Sequence, residues 1–367
     1  MNFRSHSMRA GLAALTAVLA FSGNGIARAA GPEACADDDL ECMRQRHATH
    51  PVKDVNYMRA FQALPIDQRV VTAPAKMLDY LNLDNKLHGY PNHPAAPKFG
   101  RQLSQDMQGA IRETPAAVRN LVDKQLMGIF LVRDLGGTGY TDYVYDQNHD
   151  PVGAFVVFDA EVLTRSANDW ATWKENTPFT PDPKIELRAT IENPQDDNRR
   201  QALQYILLHE LGHVASVGRD IHPRWDSWDC RNDPPDRFPF FQLSWELSDW
   251  NDCTFISKFD GERFGYRQEV VYYFGARLPA AASTAVYEQL EQTNFPSLYA
   301  ATTPYDDFAE SFVSYVHVVL MGKPFEVRID RAGKRQVTFA ACWGSARCAA
   351  KQKLIAALLS SAQGDFP

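Results

Sequence analysis

Five consecutive residues, His209-Glu210-Leu211-Gly212-His213, carry the clearest chemistry in this chain. Residues four apart lie on one face of an α-helix, so both imidazoles reach the same cation while Glu210 points beside it. The pattern H-E-x-x-H on a helix is typical of a zinc site whose glutamate serves as general base. Without an ion, burying this glutamate unpaired would cost several kcal/mol. We therefore predict that His209 and His213 bind one catalytic Zn²⁺.

A tetrahedral catalytic zinc also needs a third protein ligand and an open position for water. A third histidine in the metzincin register is missing, because Ser216 and Arg219 occupy the required places. The G-T-x-D run of the aspartate-based alternative is also absent after the motif. We expect the third ligand to be Glu310, in the predicted helix that contains Y-D-D-F-A-E-S-F at 305–312. The competing carboxylates are Glu246, Glu262 and Glu269.

Two segments, H-E-L-G-H at 209–213 and D-F-A-E-S-F at 307–312, resemble the gluzincin metallopeptidases. The second segment is similar to that of lethal-factor-like secreted zinc peptidases. This resemblance implies an α+β fold with a zincin (thermolysin-like) catalytic domain. In such a domain a mixed sheet lies over the zinc-binding helix, and the third ligand comes from the next helix.

This chain departs from the thermolysin-type pattern at Ser314. Members of that type carry an aspartate four residues after the ligand glutamate, where it orients a zinc histidine. That role stays open here, with Asp306 and Asp307 as candidates because they precede Glu310 by one helical turn. The long separation between His213 and Glu310 implies an insertion at about 219–300.

The predicted function is that of an exported zinc-dependent metallopeptidase that acts on a peptide or protein substrate. Two neutral imidazoles and one carboxylate leave the zinc site positive, which lowers the pKa of bound water toward ~7. Glu210 accepts a proton as this water attacks the substrate carbonyl and then delivers it to the leaving amine. For the second donor to the oxyanion we expect Tyr305, ahead of Tyr299 and His317.

Two other functions stay open at this point. One is a zincin-like binding or adhesive module without turnover, which the intact Glu210 disfavours. The other is a zinc amidase that acts on cell-wall amides. The G-x-M-x-N signature of gluzincin aminopeptidases does not occur, which favours internal cleavage over removal of terminal residues.

The first 29 residues read as a signal peptide. Arg4 and Arg9 precede a short apolar run at 11–21, and Ala27-Arg28-Ala29 provides small residues at a cleavage site. The run is too short to span a bilayer, so we expect a periplasmic or secreted protein without a stable membrane anchor. The 367 residues carry 38 Lys+Arg against 45 Asp+Glu, a balance that argues against nucleic acid as a partner.

The six cysteines fall into three close couples along the chain. An even number in an exported protein favours disulfides over a zinc site, and no C-x-x-C occurs. The simplest pairing is Cys35 with Cys42, Cys230 with Cys253, and Cys342 with Cys348.

Residues 30–127 are expected to form a mainly helical region, and 128–367 the catalytic domain. The helical region is a propeptide, a cover or an integral domain, and composition does not choose among them.

The apolar strand predicted at 152–158 is either an edge strand that aligns a peptide or an ordinary core strand. Four tryptophans lie in the predicted insertion: Trp225, Trp228, Trp245 and Trp250. They either line a surface that binds sugar or peptide or, as we favour, pack the interior of a lobe joined by a disulfide.

Hydrophobic periodicity and turn residues set the predicted elements. Helices are expected at 55–63, 73–83, 103–111, 115–126, 199–217, 306–320 and 349–359. Strands are expected at 128–132, 140–145, 152–158 and 184–191, with a hairpin at 325–339.

Overall fold

The computed structural model describes residues 35–36, 39–97 and 101–361. The predicted signal peptide, 1–29, lies outside the described residues. Across the described part of the chain, no helix has the length and apolar character needed to cross a membrane. The six cysteines form the three disulfides expected from their spacing, Cys35–Cys42, Cys230–Cys253 and Cys342–Cys348.

The elements follow one another as short helices, a four-stranded sheet, a long helix, an irregular lobe and a closing helical part. The helices are α1 Leu40–Ala48, α2 Val55–Gln62, α3 Ala75–His88, α4 Arg101–Glu113, α5 Ala116–Val122, α6 Ala167–Asn176, α7 Arg199–Ser216, α8 Phe241–Ser244, α9 Ser283–Leu290, α10 Pro304–Ser314 and α11 Ala349–Ser360. The strands are β1 Val70–Thr72, β2 Leu126–Val132, β3 Gly139–Tyr145, β4 Pro151–Asp159, β5 Phe179–Thr180, β6 Ile185–Thr190, β7 Trp245–Asp249, β8 Thr254–Ser257, β9 Leu278–Pro279, β10 Glu326–Arg331 and β11 Lys334–Ala340.

The main sheet has the strand order β1-β2-β4-β3. Strands β1, β2 and β4 are parallel, and β3 is antiparallel to β4 at one edge. Buried parallel strands are apolar along their length, which explains the continuous hydrophobic runs of β2 and β4. The interpretation of 152–158 as an edge strand is therefore wrong. The edge strand beside the site is β3, whose first four residues are partly exposed.

The predicted helical region is not separate from the rest of the fold. Its strand β1 pairs with β2, with Val70 opposite Ile129, so both parts of the chain build one sheet. Leu103 and Met107 of α4 are buried in the same core cluster as Leu207 of α7. This shared sheet and core favour an integral part of the domain over a removable propeptide.

Helix α7 holds the H-E-x-x-H sequence at the centre of the core. Asn198 caps it by accepting hydrogen bonds from the backbone N–H groups of Arg200 and Gln201. The helix then packs directly on α10, and the close approach falls at Gly212. A Cβ at Gly212 would lie 2.8 Å from the Cα of Ala309, so only glycine allows this contact. The two segments that the sequence singled out are thus brought together.

A buried ion pair fixes α10 from the other side. Lys351 of α11 binds the carboxylate of Asp307, and both side chains are fully buried. The indole Nε1 of Trp245 donates to the same carboxylate at 3.0 Å. Asp307 therefore anchors α10 to its surroundings and does not orient a motif histidine.

The lobe between α7 and α10 contains the β7–β8 hairpin, and its disulfide joins Cys230 to Cys253. Of its four tryptophans, Trp245 is buried, whereas Trp250 is 55% exposed. Trp228 packs against Phe241, and Trp225 stacks on Tyr143 of the edge strand. This arrangement agrees with a packed lobe, except that Trp225 also borders the candidate site described next.

Candidate metal centre

His209 and His213 face the carboxylate of Asp306. Oδ1 of Asp306 lies 3.8 Å from Nε2 of His209 and 3.8 Å from Nε2 of His213. The ligand atoms of the three residues lie within 4.8 Å of one another, so they form a group able to hold a metal ion. Two imidazoles and one carboxylate also match the donor set of a catalytic zinc site. This donor set fits the predicted ion.

The N-terminus of α10 positions Asp306. Thr303 is the N-cap, Pro304 follows at the first helical position, and Oγ1 of Thr303 accepts from the backbone N–H of Asp306. In return, Oδ2 of Asp306 accepts from the hydroxyls of Thr303 at 2.8 Å and Thr302 at 3.1 Å. Because Oδ2 is held by two hydroxyls, Oδ1 is left facing the histidines.

Glu310 lies one helical turn farther along α10, behind His209. Its Oε1 is 3.0 Å from Nδ1 of His209. An ionised carboxylate can only accept, so Nδ1 carries the proton, and Nε2 faces Asp306. Burial lowers the pKa of His209, but the hydrogen bond and charge of Glu310 outweigh it and raise this pKa above its usual value. Carboxylates that bind the far nitrogen of a metal-ligating histidine fix its tautomer and ring orientation.

The structure places Asp306, and not Glu310, in the group that could hold a metal ion. Glu310 was expected as the third ligand, but it lies outside the metal-binding group, and Asp306 lies inside it. Asp306 and Glu310 are four residues apart, which is the spacing that the resemblance implies for a ligand and the carboxylate that orients a histidine, but they lie one helical turn earlier than Glu310 and Ser314. The apparent departure at Ser314 therefore has no consequence for the site, since the hydroxyl of Ser314 instead accepts from the indole of Trp343.

A buried cation compensates the charge of Glu310. Nζ of Lys174, on α6, lies 2.9 Å from Oε1 of Glu310, and Ser297 donates to Oε2 at 2.5 Å. Burial alone would raise the pKa of Glu310, but the Lys174 charge and the bond to His209 outweigh it and hold this pKa well below its usual range. Glu310 is therefore ionised and accepts a hydrogen bond from Nδ1 of His209.

We expect that replacing Lys174 with methionine weakens metal binding without touching a ligand. The variant leaves Glu310 buried without its counter-charge, so the free energy of unfolding should fall by about 3–5 kcal/mol. Metal affinity should fall about 10–100-fold, as for other losses of support behind a ligand. Competition with a zinc-binding dye measures the affinity, and urea unfolding measures the stability.

A matched control is Lys323→Met, which removes the partner of the buried Glu192. This pair touches neither His209 nor Glu310, so the variant should lose stability but keep its metal affinity. Equal losses of affinity in the two variants would contradict the positioning role of Lys174.

Glu210 is buried at the side of the metal-binding group, next to the edge strand. Oγ1 of Thr141, on β3, donates to Oε2 of Glu210 at 2.6 Å. Burial raises the pKa of Glu210, while His209 and the bond from Thr141 lower it in part. A carboxylate with a raised pKa is suited to accept and return a proton near neutral pH.

His213 is favoured in the neutral form that binds metals. Burial lowers its pKa well below the ordinary value, and the nearby His209 and His222 lower it further. Neutral imidazole is the form in which histidine acts as a ligand. Different groups hold the two imidazole rings in place. His209 is hydrogen-bonded to the carboxylate of Glu310, whereas the ring of His213 packs edge-on against Trp225.

Of the three oxyanion-donor candidates, Tyr299 is the one whose ring contacts a motif histidine. The ring of Tyr299 stacks on His209 with 5.5 Å between centroids. Burial and the negative charge of Asp306 raise the pKa of Tyr299 well above its usual value, so its hydroxyl stays protonated. Tyr305, expected first, instead packs on His222, and its hydroxyl lies 3.5 Å from the backbone oxygen of Arg224.

The remaining predicted residues lie elsewhere. His317 is buried against backbone oxygens, with Nε2 2.7 Å from that of Ile191. The three competing carboxylates are exposed and outside the group: Glu246, Glu262 and Glu269.

Sequence reasoning missed Lys174, Thr141 and Ser297. A signal for Lys174 exists, because Trp170, Ala171, Lys174 and Glu175 recur at helical spacing and are all buried in α6. A lysine on the apolar face of a helix requires a partner. Thr141 and Ser297 are common residue types at unremarkable positions and give no comparable signal.

No family model, curated protein sequence or solved structure matches this chain. The functional proposal therefore depends on the geometry of these side chains and on the residues of the motif.

Proposed function

We propose that this protein is a zinc-dependent metallopeptidase of the zincin type, most simply an endopeptidase, with His209, His213 and Asp306 as ligands. The observation that carries the proposal is the convergence of two Nε2 atoms on Oδ1 of Asp306, with Glu210 buried alongside. A purely structural cluster gains little from a buried carboxylate beside the imidazoles, since burial raises the pKa of Glu210 even with His209 and Thr141 beside it.

Zinc, when bound, supplies a Lewis acid and lowers the pKa of water at its open position. The chain's own residues supply the rest. Glu210, held by Thr141, accepts the proton of the attacking water and returns it to the leaving nitrogen. The hydroxyl of Tyr299 donates to the oxygen that becomes negative as the tetrahedral species forms. Glu310 and Lys174 keep His209 in one tautomer throughout.

Export belongs to the same proposal. Three disulfides are typical of proteins from an oxidising compartment, which agrees with the signal peptide predicted at 1–29. The proposed location is the periplasm or the extracellular space, and the proposed partner is a peptide or protein substrate.

Metal analysis combined with cleavage of a peptide library tests this function. We expect the purified chain without residues 1–29 to contain about one zinc per molecule, because one group of three donors converges among the residues that the structure describes. Chelation should abolish cleavage, and added zinc should restore it. Undiminished cleavage by the metal-free chain would contradict the proposal. Bound zinc without cleavage of any peptide would favour the binding module, and cleavage confined to cell-wall amides would favour the amidase.

A further inference from the structure

Three aromatic residues follow one another at Tyr272, Tyr273 and Phe274, and the first two contact the ring of Tyr299, which stacks on His209. The middle one has a backbone φ of 68°, a left-handed conformation that is a true outlier for a bulky side chain. Such strained residues cluster at functional sites, where the surroundings hold them in place. The conformation at Tyr273 is thus the first sign that this segment has a role beyond packing.

Contacts on both flanks hold Tyr273 in this conformation. The hydroxyl of Tyr272 is buried and donates to Glu175 at 2.9 Å, below the segment. On the other flank, Phe274 stacks on Tyr90, which follows α3. Between these two anchors Tyr273 packs its ring against Tyr299 and Trp173, and the residue remains 37% exposed.

The rings form a continuous path from the metal-binding group to the surface. Tyr299 stacks on His209, and the ring of Tyr273 lies 6.1 Å from that of Tyr299. Trp173, on α6, continues the path at 5.6 Å from Tyr273 and is itself 37% exposed. Single exposed aromatics are ordinary, but a contiguous exposed patch that joins a site marks a binding surface.

The charges around these rings indicate which kind of substrate side chain they bind. Burial and the negative charges of Glu310 and Glu175 raise the pKa of Tyr273 well above its usual value, which keeps its ring neutral. Lys174 lies 4.7 Å from the centre of the Tyr299 ring and compensates those carboxylates from beneath. At the outer end the guanidinium of Arg165 covers Trp173 and is paired with Asp169. The two cations that border the path are thus each paired with acidic side chains, Lys174 with Glu310 and Glu175, and Arg165 with Asp169.

Resting on the peptidase function proposed above, we propose that Tyr273 and Trp173 form a substrate subsite that binds an aromatic or large aliphatic side chain near the scissile bond. Aromatic rings stack and pack on one another at the centroid spacings seen along this path. A peptide advances about 3.3–3.6 Å per residue, so rings two and three contacts from His209 are within reach of side chains a few residues from the cleaved bond.

Substitutions at Tyr273 and Trp173 test the subsite. Tyr273→Gly removes the ring and relieves the left-handed strain, since glycine adopts this conformation freely. Tyr273→Phe keeps the ring and should keep the preference. Trp250→Ala is the matched control, because this tryptophan is more exposed and lies on the β7–β8 hairpin.

The substrates are two peptides that differ only in phenylalanine or alanine at the preferred position found in a cleavage library. In Tyr273→Gly and Trp173→Ala, kcat/KM for the phenylalanine peptide should fall about 10–100-fold through KM, as for other losses of a hydrophobic contact. The alanine peptide should be cleaved almost as before. Trp250→Ala and Tyr273→Phe should behave like the unaltered chain with both peptides.

Binding without turnover separates this inference from the peptidase proposal. Calorimetric titration of both peptides into Glu210→Gln should show tighter binding of the phenylalanine peptide, and Tyr273→Gly should remove the difference. Equal affinities for the two peptides, or a preference that survives in both subsite variants, would overturn the subsite while leaving Glu210-dependent cleavage intact. Absence of cleavage with retained selective binding would overturn the peptidase function and leave the binding surface in place.

Discussion

Replacing Glu210 with glutamine is expected to remove nearly all peptide cleavage while leaving the metal-binding group in place. Glutamine has the same shape and can still accept the hydrogen bond from Thr141 through its amide oxygen. It cannot accept a proton from attacking water, and general base catalysis contributes about 10²–10⁴-fold to rate. We therefore expect kcat to fall by about 10²–10⁴ with KM little changed.

Zinc content and unfolding provide the controls for this variant. Glu210 lies outside the three-donor group, so the variant should bind zinc as tightly as the unaltered chain. Its stability should be equal or higher, because a buried carboxylate with a raised pKa is replaced by a neutral amide. Thr141→Val, which removes the hydroxyl beside Glu210, should lower kcat to a smaller extent. Activity within a few-fold of normal in Glu210→Gln would exclude this residue as the base.

The second large expected effect is a loss of zinc affinity that distinguishes Asp306, the proposed ligand, from Glu310, which lies behind His209. Asp306→Asn should reduce zinc affinity by more than the roughly 10–100-fold expected when support behind a ligand is lost. An amide carries no negative charge and is a poor zinc ligand. Asp306 is partly exposed, at 18% of its side chain, so the fold should tolerate the change. Glu310→Gln should stay within the 10–100-fold range, because His209 keeps its ring and loses only a charged acceptor.

Zinc competition and urea unfolding measured together decide between these roles. Glu310→Gln should be the less stable of the two, since it removes the nearer of the two carboxylates that compensate the buried Lys174. Asp307→Asn, at a position adjacent to Asp306 but paired with Lys351, serves as control and should change stability without changing zinc affinity. A larger loss of affinity in Glu310→Gln than in Asp306→Asn would restore Glu310 as the ligand.

The sequence alone predicts helix α7, which holds the motif, and helix α10, which packs on it. Apolar residues around His209 and His213, a cap at Asn198 and a stop at Gly218 predict α7 almost to the residue, because local propensity and burial agree there. Close pairs of cysteines predict the disulfides for the same reason, since short separations leave few alternatives. The main strands are also local features and appear where hydrophobic runs predict them.

The choice between Asp306 and Glu310 was not available from the sequence. The two residues lie four apart and therefore on one face of α10, so either can point at α7. The relative position of α7 and α10 along their axes decides whether the turn with Asp306 or the turn with Glu310 lies opposite the imidazoles. That is fixed by Gly212 against Ala309 and by the cap at Thr303, which are contacts between distant segments.

The sequence left strand 152–158 open between an edge strand and an ordinary core strand, and the structure shows the core strand. A continuous apolar run is typical of a strand that is covered on both faces, and β4 is such a strand. Its sequence carries no information about which strands lie on either side. The aromatic and polar alternation of 140–145 is the better sign of a partly exposed edge, and β3 occupies it.

A crystal of the zinc-loaded chain, measured on both sides of the zinc absorption edge, tests the central claim most directly. We expect one strong anomalous peak at an ion bound by Nε2 of His209, Nε2 of His213 and the carboxylate of Asp306, with Glu310 hydrogen-bonded to Nδ1 of His209. A peak bound by Glu310 in place of Asp306 would contradict the ligand assignment, and the absence of zinc between the two histidines would contradict the proposed function itself.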